Sequence, residues 1–568
     1  MMSAVIEFKD FSFRYRQQQE FTLHDINLTI HKGEKVLILG PSGSGKTTLG
    51  NCINGLVPFS FNGEIKGSCK VFGMETKEES IFKISEHVGT VQQDADAQFV
   101  GLSVGEDIAF SLENDMVPRD IMLEKVDQTA TVVGMENHLL SVPYNISGGQ
   151  KQKVALAGIL HNDVEILLFD EPLAALDPAM GMNAVDLIDK VYREQEKTVI
   201  IIEHRLEDVL YRHVDRIILI NEGRIIRDTT PNELLRSDTL KANGIREPLY
   251  ISALKNAGVE FDETDELDSI DDLKIERFKD QIVSDFRKVE LKPVHRSDEK
   301  ILEVKNVSFN YSDGFPALKN ISFDLYKGEK ISVVGSNGAG KSTLAKLLCG
   351  IIRPKEGEVI FHGENYLKYS IKELGTHIGY VMQNPNQMLV KDMIRDEIEL
   401  ALKLNHFSEQ DIASRVESTL KMTGLYNMRN WPVSALSYGQ RKRVTIASIL
   451  ALQPEVIILD EPTAGQDYLR YTEIMNFIEE LNEKYNITIL FVTHDMHLAI
   501  EYTDRAIVFH NGEMIGDDVV YKILSNDEII KKASLKKTSL VTLAQKAGID
   551  PEQYIHYFIE KEKEERKQ

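Results

Sequence analysis

At 568 residues the chain exceeds what one hydrophobic core can serve, and its length points to roughly two to four domains. Lys and Arg number 66 against 89 Asp and Glu, a net charge of −23, which excludes a general electrostatic grip on nucleic acid while leaving room for a local basic site. Three cysteines with neither paired nor C-x-x-C spacing exclude a disulfide framework and fit a reducing compartment. Residues 1–10 have no basic n-region and no apolar h-region, so no signal peptide is expected. The longest apolar runs, such as 166–169 and 456–459, are far short of the ~20 residues a bilayer requires. Any membrane role is therefore expected to go through partner subunits.

In chain order, residues 6–15 alternate apolar and polar like a strand and close on Tyr15. A short apolar run, 36–39, leads into Gly40-Pro41-Ser42-Gly43-Ser44-Gly45-Lys46-Thr47, followed by Thr48 and a helix-compatible stretch up to Gly55. The pattern G-x-x-x-x-G-K-[ST] between a buried strand and a helix is the phosphate-binding loop. Its glycines let backbone N–H groups turn to phosphate oxygens, and the helix presents its positive end to them. Lys46 is expected at the β- and γ-phosphates and the Thr47 hydroxyl at Mg²⁺. A Gly-rich turn before a structural helix is the plainer alternative for one such loop, and a second copy weighs against it.

A largely helical stretch near 102–140 comes next, then Ile146-Ser147-Gly148-Gly149-Gln150 at the start of a helix. Ser with adjacent glycines at a helix N-terminus is a second anion-binding device, although Ser is also the ordinary cap residue there. Residues 166–169 read as a buried strand ending in Asp170-Glu171. Hydrolysis needs one carboxylate to hold hydrated Mg²⁺ and another to polarise the attacking water; Asp170 suits the first task and Glu171 the second. A helix and another strand, 199–202, precede His204, and Asn221-Glu222-Gly223 marks the turn of a closing hairpin.

The series then recurs. Residues 302–311 repeat 6–15 and end on Tyr311. Gly335-Ser336-Asn337-Gly338-Ala339-Gly340-Lys341-Ser342-Thr343 repeats the loop, and Leu436-Ser437-Tyr438-Gly439-Gln440, Asp460-Glu461 and His494 follow. The offset is 295 residues at the loop and 290 from residue 93 onward, so the first copy carries a longer segment around 57–64. Strands alternating with helices give an α/β fold with a parallel sheet. The expected domains are 1–230 and 300–520, joined by an acidic, partly helical linker at 231–299, with a helical C-terminal extension at 521–568. The linker is expected to lack a counterpart in the core. Its run of Glu260, Asp262, Glu263, Asp265, Glu266, Asp268, Asp271 and Asp272 reads as solvated and mobile.

On both loops, both Asp-Glu strands and the sequences ISGGQ and LSYGQ, the chain resembles the ATP-binding-cassette (ABC) ATPases over nearly all of both repeats. The resemblance implies two tandem P-loop domains, each with a parallel-sheet RecA-like core, an antiparallel β subdomain and a helical subdomain. It implies ATP and Mg²⁺, with Tyr15 and Tyr311 stacking on adenine and with Gln93 and Gln383 as Q-loop residues at nucleotide and metal. Thr47, Asp170, Ser342 and Asp460 fall on the remaining metal positions, Glu171 and Glu461 on the bases, and His204 and His494 on the switch histidines. The D-loops fall on Ala175-Leu176-Asp177 and Gly465-Gln466-Asp467. Family architecture sets the Lys46 residues against Ser437, Tyr438, Gly439 and Gln440, and the Lys341 residues against Ser147, Gly148, Gly149 and Gln150. Tyr438 departs from the pattern, standing where a glycine lets backbone approach the γ-phosphate, so the Lys46 site is expected to be the slower.

Within the family, Asp96-Ala97-Gln98-Phe99, Ser103-Val104-Gly105-Glu106-Asp107 and Ile202-Glu203-His204-Arg205 look like the energy-coupling-factor (ECF) importer ATPases, especially the fused type of hydroxymethylpyrimidine or thiamine uptake. This implies ATP-driven import of a vitamin, a vitamin precursor or a metal ion, a membrane scaffold (T) subunit, a substrate-binding (S) subunit and a peripheral place on the cytoplasmic face of the membrane. The segments after Gln93 and Gln383 are expected to hold scaffold helices, with Asp94, Asp96, Glu106 and Asp107 facing basic residues. Tandem sugar-importer ATPases are disfavoured by two intact loops. Soluble ABC-F factors of the ribosome are disfavoured by the acidic linker and net charge.

Overall fold

The computed structural model describes residues 3–93, 98–161, 164–174, 176–289, 291, 297–311, 314, 316–463 and 466–566. The chain divides into two compact units, Met1–Phe278 and Lys279–Gln568. Among the described residues each unit carries a four-stranded antiparallel sheet and a six-stranded, mostly parallel sheet. In the first unit the larger sheet runs Arg224–Thr229, Arg216–Asn221, Lys35–Leu39, Thr198–Glu203, Ile166–Asp170, Val88–Val91. Only the Arg216–Asn221/Arg224–Thr229 hairpin is antiparallel among these pairs. The second unit repeats the order with Lys330–Gly335 in the place of Lys35–Leu39 and Val456–Asp460 in that of Ile166–Asp170.

The inner strands are buried on both faces, which is why they read as unbroken apolar runs rather than as alternation. The register sets Asp170 beside Ile202, and Ile202 beside Ile38. The glycine-rich loop, the Asp-Glu pair and His204 therefore leave the same, carboxyl edge of the sheet, where open α/β sheets bind ligands. A separate helical group packs in each unit: Val104–Asn114, Arg119–Val133 and Gly148–Leu160, then Ile394–Leu404, Glu409–Met422 and Tyr438–Leu450. The second group has its own core around Ile398, Leu402, Val416, Leu420 and Val444.

The region after the first hairpin corrects the expectation of a solvated linker. Helices Pro231–Arg236, Thr239–Ala242 and Leu249–Asn256 bury Leu234, Leu240, Tyr250, Ile251 and Leu254. The acidic stretch packs as well, because Leu267, Leu273, Ile275 and Phe278 anchor it in the core. Most of its carboxylates stay exposed, and Arg277 bonds both Asp262 at the surface and the largely covered Asp265, the latter at 2.9 Å. Nor is the segment without a counterpart. Gly244 and Ser534 share a left-handed φ (65° and 55°), as do Gly258 and Gly548 (78° and 73°), all at the 290-residue offset. Helix Ser539–Ala547 thus answers Leu249–Asn256. The remainder, Lys279–Phe286, belongs to the second unit, where Asp285 accepts hydrogen bonds from Tyr557 and Lys561 of the closing helix Pro551–Arg566.

Candidate active site

Each phosphate loop caps a helix, Lys46–Ile53 or Lys341–Leu348, through a glycine that only a residue without Cβ could replace. Gly45 and Gly340 hold φ of 102° and 105°, and a Cβ on Gly340 would stand 2.5 Å from the Ala317 carbonyl. The lysines fold back over the loop: Lys46 Nζ donates to the carbonyls of Gly40 (2.8 Å) and Pro41 (2.9 Å), and Lys341 Nζ to those of Gly335 (2.8 Å) and Ser336 (3.0 Å). Ser44 Oγ is buried in the loop without a hydrogen-bond partner. A buried hydroxyl with nothing to bond suits a site whose ligand carries oxygens. Tyr15 and Tyr311 lie over the same helices, their hydroxyls 3.0 and 3.3 Å from Thr48 Oγ1 and Thr343 Oγ1. In the first unit Phe61, from the longer segment, meets Tyr15 edge-on at 6.2 Å.

Thr47 Oγ1 donates to Asp170 Oδ1 at 3.3 Å and Ser342 Oγ to Asp460 Oδ1 at 3.5 Å. A hydroxyl beside a carboxylate is a partial oxygen set for a hard cation such as Mg²⁺, which completes its shell with water and phosphate rather than with a protein cage. No cluster of three or more His, Cys, Asp or Glu that could hold a metal occurs among the described residues.

The next residues, Glu171 and Glu461, both take left-handed φ (47° and 43°), an uncommon and strained state for Glu that is pinned by N–H bonds to Ile202 and Val492. The reversal turns each Glu away from the direction of its Asp. In the second unit Glu461 Oε1 sits 2.7 Å from His494 Nδ1, and Oε2 accepts from Thr493 Oγ1 at 3.2 Å. In the first unit His204 Nδ1 is 3.9 Å from Glu171 and nearer, 3.3 Å, to Glu203. Gln93 Nε2 instead bonds Glu171 Oε2 at 2.7 Å.

Three neighbours absent from the sequence-based set separate the two centres. Glu203 is fully buried beside the first, with Oε1 making no hydrogen bond. Tyr380 donates its hydroxyl to Asp460 Oδ2 at 2.8 Å in the second. Lys442, also buried, lies near Asp460 and Glu461; burial pushes its ammonium down to about 8 while the two carboxylates oppose the shift. The signal for all three was available in register: at the 290 offset they replace Thr493, Thr90 and Gln152.

Burial, then the charge of Glu171, raises the Asp170 carboxyl to about 6. Burial likewise raises Glu171, against the opposing pull of His204. Between the ordinary carboxyl range and about 6, the folded nucleotide-free chain holds a proton on Asp170 that the unfolded chain has released. That stability is complete at low pH and lost as pH rises through about 6. Without Mg²⁺ and ATP, Asp170→Asn is therefore expected to stabilise the first unit by about 3 kcal/mol at pH 7.5 and by well under about 1 kcal/mol at pH 4. Thermal midpoints of both proteins in chelator at the two pH values check this; equal differences at the two values contradict it.

Ser147 and Ser437 are N-caps of Gly148–Leu160 and Tyr438–Leu450, each in a reciprocal capping box with Gln150 or Gln440. The plainer cap reading therefore holds at both helices. Tyr438 spends its hydroxyl inside its own unit, on the Gln383 carbonyl at 3.1 Å. Asp177 and Asp467 cap helices Pro178–Gln195 and Tyr468–Tyr485; Ala175 and Gly465 of the D-loops lie outside the described residues. Glu106, exposed, and Asp107, half-buried, both bind local backbone. Asp107 Oδ1 accepts from the N–H groups of Val100 and Gly101, and Glu106 Oε2 from those of Leu102 and Ser103. Asp94 and Asp96 lie outside the described residues.

Comparison with known proteins follows the same lines. The family described as ABC transporter matches residues 23–174 and 318–464, and one described as ATP-binding cassette cobalt transporter matches 237–309. An ABC transporter ATP-binding protein of Clostridium perfringens is 55% identical, covering 98% of each chain. One of Enterococcus faecalis is 50% identical over 100% of each. The solved structure of cbiO1 from Clostridium perfringens, part of the ABC transporter complex cbiONQ, is 35% identical over 44% of this chain and 100% of its own, with a TM-score of 0.39.

Proposed function

This chain belongs to the ATP-binding proteins of ABC transporters, and from that membership we propose that it is the ATPase of an ECF-type importer acting through separate membrane subunits. The observation that carries the reading is the doubling of one hydrolytic set (loop lysine, hydroxyl, Asp, Glu and His) at the same edge of both central sheets. The match of residues 237–309 to a family described as a cobalt transporter supports the importer class.

Loop N–H groups with Lys46 or Lys341 hold the β- and γ-phosphates, and the Tyr15 and Tyr311 rings face the adenine. Thr47, Asp170 and Gln93, or Ser342, Asp460 and Gln383, would hold Mg²⁺. When bound, Mg²⁺ neutralises charge developing on the transferred phosphoryl group. Glu171 or Glu461 orients a water and takes its proton as the water oxygen bonds to the γ-phosphorus. The bond from that phosphorus to the β–γ bridging oxygen breaks, leaving ADP and phosphate. His494 fixes the orientation of Glu461, while Glu171 is held by Gln93 with His204 nearby. Ser147 to Gln150 and Ser437 to Gln440, each opening a helix, offer a further anion-binding end within their own units.

The membrane partners are a T and an S subunit, and the chain sits peripherally on the cytoplasmic face. No helix among the described residues is long and apolar enough to cross a membrane. Leu102 and Leu140 (83% and 95% exposed), with Val390 and Trp431, give the helical subdomains apolar surface that supports docking to a partner. The cargo is a vitamin, a precursor of the hydroxymethylpyrimidine or thiamine type, or a metal ion; the cobalt-transporter description supports the last.

Mass spectrometry of proteins copurifying with the tagged chain from detergent-solubilised native cells tests this. Polytopic membrane proteins in near-equal amount are expected, and the small one among them identifies the cargo. Ribosomal proteins instead would overturn the importer reading.

A further inference from the structure

Helix Tyr438–Leu450 reaches back to the segment after strand Ile378–Val381 with three side chains. Lys442, 1% exposed, donates Nζ to the carbonyls of Met382 and Gln383, both at 2.9 Å. Tyr438, one turn earlier on the same face, donates its hydroxyl to the same Gln383 carbonyl at 3.1 Å. Arg441 donates to Asn386 Oδ1 at 3.1 Å. A buried ammonium is tolerated only where its donors are used, so these carbonyls are what hold Lys442 in place. The first unit lacks the device. Gly148 stands in the place of Tyr438 and Gln152 in that of Lys442, and Gln152 turns to the Pro172 carbonyl instead.

We propose that Tyr438 and Lys442 are positioning residues that staple the Gln383 backbone to the signature helix, so that this helix and the Gln383 loop of the second unit move as one body. The inference rests on reading the Lys341 loop as an ATP site with Gln383 beside it. Gln383 itself is exposed at the start of its loop, and its carbonyl is the point at which both donors fix it. Without them the loop samples more positions and the reactive arrangement is populated less often. That loss falls on kcat more than on KM. It also gives the departure at Tyr438 a task within its own unit.

The test uses the full chain carrying Glu171→Gln, which leaves the second site as the one measured. Adding Lys442→Met is expected to lower kcat about tenfold with KM for ATP changed less than about twofold. Tyr438→Phe is expected to cost about threefold, and the double variant less than the product, because both donors serve one acceptor. Hydrogen exchange of amides 383–389 should quicken in Lys442→Met while amides of strand Lys330–Gly335 stay protected. Lys442→Gln, the side chain that the first unit uses, replaces Lys442→Met should that variant fail to fold. Unchanged kcat with unchanged exchange overturns the staple, and so does a loss of KM and thermal midpoint together with kcat unaffected. Glu461→Gln in the same background is the control: a persisting rate there defeats the ATP-site reading itself, whatever Lys442 does.

Discussion

Glu461→Gln lowers hydrolysis at the second site by about 10²–10⁴-fold while leaving ATP binding intact, the range that removal of a general base spans. Glutamine keeps the size of Glu461 and the bond from Thr493 Oγ1, but it cannot take a proton from water. The same change at Glu171 costs the whole chain less. His494 lies 2.7 Å from its glutamate, whereas His204 is 3.9 Å from Glu171 and is shared with buried Glu203. The second centre is thus the better organised for hydrolysis and is expected to supply most of the steady-state rate. Phosphate release by the wild type, each single variant and the pair Glu171→Gln/Glu461→Gln measures this. The pair is expected to be inactive and Glu461→Gln alone the more damaging single change. Equal residual rates in the two single variants contradict the asymmetry.

Lys46→Ala with Lys341→Ala removes high-affinity nucleotide binding. Each ammonium is buried over its loop and held by two carbonyls, a preorganised cation for the phosphates. A charge-assisted hydrogen bond contributes about 1.5–3 kcal/mol, so each loss weakens ATP binding roughly ten- to a hundredfold. Titration with a fluorescent ATP analogue measures it; an unchanged Kd in the double variant would mean that the loops are not the phosphate sites.

The parts that were legible in the sequence are those where chemistry demands a fixed local pattern. The glycine spacing of the loop follows from its φ values, and the apolar runs before Asp170 and Asp460 follow from burial on both faces of a parallel strand. What was missed acts across register. Tyr380 pairs with Ile458 on the neighbouring strand and reaches Asp460 diagonally, two residues on, a relation no linear motif carries. The acidic stretch was judged by its charge, although Leu267, Leu273 and Phe278 decide its packing. Its kinship with the C-terminal extension survives in Ala257-Gly258 and Ala547-Gly548, where the turn geometry requires it. Glu106 and Asp107 were read as charges facing a partner's basic residues; the sequence does not show that, at a helix N-terminus, such carboxylates also hold the backbone leading into it.

The most direct measurement is the number of ATP molecules bound per chain by Glu171→Gln/Glu461→Gln with Mg²⁺, by equilibrium dialysis. Two per chain, falling to one when Lys341→Ala is added, is the predicted result. One or none in the parent variant would contradict a chain that carries two ATP sites.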